Sequence, residues 1–167
     1  QIQLVVTSYL IVIVGIILIF GKLGDMLGKT RIFTFGIAMF TLGSLLCGIG
    51  SSFPVLIGAR IIQAVGAAAT MANNQGIITQ VFPATERGKA LGLTGTSVAL
   101  GSLVGPGLGG IIVGAASWEY IFLINVPVGV VVLFFAIKLL PRSNKKVTDR
   151  LDILGAALFM FSIVPLF

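Results

Sequence analysis

The side chains able to do chemistry are few, and they cluster. The stretch IGARIIQAVGAAATMANNQG, residues 57–76, carries Arg60, then Gln63 and Gly66, then Asn73, Asn74 and Gln75, all embedded among aliphatic residues. Residues three apart are neighbours on a helix, so Arg60, Gln63 and Gly66 fall roughly on one face. A guanidinium there is a permanent charge with a fork of donors: it can orient an anion, but it does not release its own proton at a working pH. The five acids, Asp25, Glu86, Glu119, Asp149 and Asp152, all fall at the edges of apolar stretches. There is no histidine and a single cysteine, Cys47. That removes disulfides within the chain and the usual zinc and general-base arrangements, and Cys47 reads as a small packing residue. No nucleophile accompanies a base and no nucleotide loop is present, so neither an enzyme nor a metal or cofactor site is expected.

The elements that must position these residues are membrane helices. Of the 167 residues 57% are hydrophobic and 10% charged, whereas a soluble domain carries about 25% charged residues. A hydrocarbon core of about 30 Å needs about 20 apolar residues in a helix. On that ruler the chain divides into five spans, 2–20, 32–49, 54–81, 88–113 and 120–140. A basic segment at 141–150 follows, and the start of a further span at 151–167. The fold class is therefore all-α, a polytopic transmembrane helix bundle. The first span lacks the basic flank and cleavage site of a signal peptide and starts as though already inside a helix, and the last span stops short, so the chain reads as part of a longer one. Ser52 is a candidate N-cap for the third span with Pro54 in its first turn, and Asp152 suits the helix N-terminus of the last.

Charge placement orients the bundle. Lys22, Lys29, Arg31, Arg87, Lys89, Lys138, Arg142, Lys145, Lys146 and Arg150 all fall on one side, while the opposite loops hold no Lys or Arg. By the positive-inside rule the basic side is cytoplasmic, in a multi-pass protein of the cell membrane. The net charge of +6 follows from that topology and calls for lipid, not nucleic acid, as the partner. Arg60 is the remaining basic residue and the one ionisable side chain well inside a span. Placing it near hydrocarbon costs at least a few kcal/mol, so it should face a bundle interior or a watery cavity, with some of Asn73, Asn74 and Gln75 lining that cavity. The alternative is that Arg60 snorkels to the outer interface and its neighbours only join helices.

GSLVGPGLGG, residues 101–110, concentrates glycine and proline inside the fourth span. Pro106 frees a carbonyl and favours a kink. Gly92, Gly101, Gly105, Gly109 and Gly110 form a nearly side-chain-free stripe against which another helix can pack closely.

That glycine and proline pattern resembles, at every fixed position, the antiporter motif of drug exporters in the major facilitator superfamily. GKLGDMLGKTRI, with Gly21, Leu23, Asp25, Gly28, Lys29 and Arg31, resembles the signature between the superfamily's second and third helices. RIIQAVGAA resembles its fourth-helix motif at Arg60, Gln63 and Gly66, and SWEYIFLINVPVG, with Trp118, Phe122, Asn125, Pro127 and Gly129, the start of the sixth helix in the 14-helix drug:proton antiporter branch. Met26, Thr30, Ala64 and Glu119 depart from these patterns. The resemblance implies a partial major facilitator fold covering about the second to seventh helices, residues 1–140 forming most of the N-terminal transmembrane lobe and the further span at 151–167 standing as the seventh.

It also implies a function: export of amphipathic, often cationic, drugs in exchange for protons, driven by the proton gradient without a cofactor. In that reading Arg60, Gln63 and Gly66 serve the proton pathway, and Gly21, Asp25, Gly28, Lys29 and Arg31 form a cytoplasmic gate, with Asp25 pairing with Arg87 or a helix N-terminus. The glycine stripe with Pro106 keeps the fourth span bent and tightly packed. The carboxylate that carries the proton belongs to the remainder of the transporter, a necessary partner. The alternative is a truncated membrane piece with no transport of its own.

Overall fold

A computed structural model describes residues 2–50 and 52–141. The basic segment with Arg142, Lys145, Lys146, Asp149 and Arg150, and the further span with Asp152, lie outside the described residues. Every element among the described residues is helical: α1 Ile2–Leu27, α2 Lys29–Ile49, α3 Phe53–Val81, α4 Ala84–Ala115, the short α5 Tyr120–Leu123, and α6 Asn125–Leu139. Five stretches are long and apolar enough to cross a membrane, α5 and α6 together making the fifth.

The ends of these helices follow from local chemistry. At 26 residues α1 is about 39 Å long, more than the hydrocarbon core needs, so the stretch expected as a loop after residue 20 is helical as far as Leu27. The break is one residue, Gly28, at φ 101°. That backbone conformation is open to glycine without strain, and it turns the chain straight into α2. Ser52 stands at the N-cap of α3, but its side chain makes no capping bond there; Pro54 takes the first turn, where its missing N–H loses nothing. In the fifth span Pro127 has no N–H to give the Leu123 carbonyl, and the helix is interrupted at Ile124 between α5 and α6. Pro106 does not interrupt α4, which continues helical through it.

In lipid the backbone of one helix approaches another where side chains are small. α3 is the centre, packed on α2 and α1, while α2 also meets α6. Gly36 of α2 faces Gly66 of α3, and a Cβ on Gly36 would lie 2.8 Å from the Gly66 carbonyl oxygen. Further along, a Cβ on Gly43 would lie 2.5 Å from the Gln63 nitrogen and 2.7 Å from its Cα. Ala64, Ala67 and Ala68 continue this smooth face toward α1, where Ile13 is buried against them with Tyr9, Ile16 and Phe20 alongside. Hydroxyls inside the bundle are satisfied on their own helices, as when Thr41 and Ser44 donate to the Ile37 and Phe40 carbonyls at 2.8 Å. α4 differs from the rest: among the described residues it buries none of its own and packs slightly on α3 and α5.

Candidate functional site

Arg60 lies seven residues past the start of α3, about 10 Å along the helix axis at 1.5 Å per residue. At that depth a cation needs partners, and the fold supplies them from two other helices and from its own. The guanidinium carbon sits 5.2 Å from the centre of the Tyr9 ring of α1 and 4.6 Å from that of Phe122 of α5. Aromatic faces carry partial negative charge, so the cation is held between two rings without an ion pair. Nη1 donates to Gln63 Oε1 at 3.0 Å, Gln63 Nε2 donates to Ser44 Oγ at 2.7 Å, and Ser44 Oγ donates on to the Phe40 carbonyl. Gln63 is 2% exposed and Ser44 fully buried. Arg60 Nε is buried without an acceptor.

Each link depends on a small residue. Gly43 lets α2 approach the Gln63 backbone closely enough for Ser44, the next residue, to reach its side chain. Cys47 and Ala59, both buried, pack with Phe122 and set the ring below the guanidinium. Among the described residues no carboxylate is within ion-pair distance of Arg60. The structure therefore joins Arg60 and Gln63 directly, while Gly66 serves the same face differently, as the contact point with α2 at Gly36 and Phe40.

The helix-end motif forms a second group. Asp25 is exposed on the last turn of α1, and Lys29 Nζ donates to its Oδ1 at 2.5 Å across the Gly28 turn. The expected partner Arg87 is turned away: its Nε donates to the Phe82 carbonyl at 3.2 Å, in the turn between α3 and α4. Arg31 is exposed in the first turn of α2, Gly28 supplies the turn, and Gly21 faces open space. Asn73 lies in the α1–α3 interface and not in a cavity, because its amide bonds to the Phe20 carbonyl of α1; Asn74 is half-buried and Gln75 exposed.

The α4 stripe is a third feature, apart from the others. At Gly92, Gly101, Gly105, Gly109 and Gly110 an added Cβ would meet nothing within 4 Å. Among the described residues, no helix packs on the stripe.

Sequence reasoning missed Tyr9, Ser44 and Gly43 as contributors. Tyr9 carried one signal, the single phenol in the first span. The others became visible only as contacts between helices.

The chain matches the family model described as Major Facilitator Superfamily over residues 1–164. It is 47% identical over 160 residues to the riboflavin transporter RibZ of Clostridioides difficile, covering 95% of this chain and 35% of that protein. It is 40% identical over 162 residues to multidrug resistance protein 3 of Bacillus subtilis, covering 97% and 32%, and 34% identical over 161 residues to a probable actinorhodin transporter of Streptomyces coelicolor, covering 94% and 28%. The chain thus spans about a third of the length of these relatives. With five apolar helices, a half-buried arginine in one of them and a match along nearly its whole length, this multi-pass membrane protein belongs to the major facilitator superfamily.

Proposed function

We propose that these helices are most of the N-terminal lobe of a proton-coupled transporter that exports amphipathic, often cationic compounds across the cytoplasmic membrane, with its basic loops on the cytoplasmic side. The observation that carries this reading is Arg60, a cation inside a span that is held by two aromatic rings and one amide in place of a carboxylate. Such a charge lowers the proton affinity of any acid brought near it. Arg60 itself stays protonated, so it tunes the carrier of the proton and does not carry it. The acids described here stand at helix ends, and the titrating carboxylate comes from the rest of the transporter. Gln63 and Ser44 fix the guanidinium's direction, and Gly66 keeps α3 close to α2. Asp25 with Lys29, Gly28 and Arg31 forms the cytoplasmic gate, and the α4 stripe receives a helix of the opposite lobe as the two lobes rock.

Ethidium movement in everted vesicles tests the reading. A proton gradient should drive ethidium uptake by the complete transporter, and Arg60→Ala should abolish it at unchanged membrane content. Normal uptake by Arg60→Ala would make the arginine an interfacial residue only. The 47% identity to the riboflavin transporter favours a second reading, riboflavin as the substrate. Radiolabelled riboflavin flux in the same vesicles separates the two.

A further inference from the structure

The last turn of α1, which presents Asp25, is held by one face of α3. Asn73 of α3 is 1% exposed. Its Nδ2 donates to the Phe20 carbonyl of α1 at 3.1 Å and to the Ala69 carbonyl of its own helix at 3.0 Å. Two carbonyl acceptors set which way the amide is turned, since only the nitrogen can donate. Oδ1 is thereby left against Gly24, buried and without a hydrogen-bond partner, and a Cβ on Gly24 would overlap the amide. The absence of a side chain at Gly24 is what leaves room for Oδ1 there. Phe20 and Gly24 are four residues apart, the two ends of one helical hydrogen bond. Asn73 grips that turn at both ends, one residue before Asp25.

The same face of α3 reaches the partner of Asp25. Gly76 is three residues beyond Asn73 and therefore beside it. A Cβ on Gly76 would lie 2.5 Å from Cδ and 2.9 Å from Nζ of Lys29, so the lysine stem lies across this glycine while its ammonium pairs with Asp25. The geometry points to Asn73 as a positioning residue for the cytoplasmic gate: it locks the end of α1 onto α3 and, with Gly76, sets how Asp25 and Lys29 are presented to the opposite lobe. This role rests on the reading of Asp25 as a gate residue.

The test uses the complete transporter with Cys47→Ala and Leu27→Cys, a reporter at the half-exposed last residue of α1. Everted vesicles are treated with a membrane-impermeant maleimide, and ethidium and riboflavin uptake are measured in parallel. Asn73→Ala and Gly24→Ala should each speed Leu27→Cys alkylation at least fivefold and lower maximal uptake at least tenfold, with KM within twofold of wild type. The double variant should be no worse than the worse single, because both changes break one contact. Asn73→Ala should lower maximal uptake at unchanged membrane content, whereas a merely structural role would lower the content instead. Asn73→Ser, which keeps a donor, should recover part of the uptake, and Gly24→Ala carries the test should the Asn73 variants not reach the membrane. If Asp25→Asn is inactive while Asn73→Ala and Gly24→Ala stay within threefold of wild type in both readouts, the inference fails and the gate reading survives. Normal uptake by Asp25→Asn, or a wild type that moves neither compound, sinks the gate reading and the inference with it.

Discussion

Gln63→Leu removes one amide while keeping nearly the same shape, and the structure says where the loss falls. Gln63 accepts from Arg60 at 3.0 Å and donates to Ser44 at 2.7 Å. Ser44 loses little, because its own proton stays on the Phe40 carbonyl. Arg60 loses more: Nε already lacks an acceptor, and Nη1 would join it. A hydrogen bond to a charged group contributes about 1.5–3 kcal/mol, and part of this is returned because the guanidinium stays between its two rings and leucine buries extra apolar surface. A net loss of about 2 kcal/mol corresponds to about 30-fold in the opening equilibrium of the cluster. Cys47 reports that opening, since it is fully buried and packed on Ala59 and Phe122. In the complete transporter with any other cysteines replaced, Gln63→Leu should speed alkylation of Cys47 by a small maleimide about 30-fold. A rate within threefold of wild type, in protein that still folds, would refute the reasoning, because the amide would then contribute nothing to holding the charge.

Three further outcomes follow from the same geometry. Arg60→Lys keeps the charge but loses the planar fork that lies between Tyr9 and Phe122, so proton-driven uptake should fall at least tenfold; uptake equal to wild type would show that charge alone suffices. Gly43→Val places atoms inside the Gln63 backbone, an overpacking that costs about 1–3 kcal/mol or more, read as a lower unfolding temperature in detergent, and an unchanged melting curve would contradict the close α2–α3 approach. Gly105→Leu meets nothing among the described residues, so Cys47 alkylation should stay at the wild-type rate while transport by the complete protein is lost; faster alkylation would show that the stripe serves this lobe and not a helix beyond it.

Hydrophobic length alone determined the five spans found among the described residues and their order, because a bilayer tolerates few other ways to satisfy a backbone. The sequence also determined that Arg60 and Gln63 share a face, since helix periodicity requires it. It named Gly28 only as part of a motif, and placed the helix ends too far apart there, because apolar length ends at the hydrocarbon while backbone hydrogen bonding carries α1 on to Leu27. The tertiary structure decided what each polar group meets. Tyr9 and Phe122 reach Arg60 and Ser44 reaches Gln63, from three separate helices, and nothing in local spacing announces which rows of a helix will face one another. The same holds for Asp25, which pairs across the turn with Lys29 because Gly76 gives the lysine stem a place to lie, and for Asn73, drawn into the α1 interface because Gly24 leaves room for an amide. Periodicity is a property of one helix, whereas a glycine's meaning depends on what approaches it, and that is set only when helices pack.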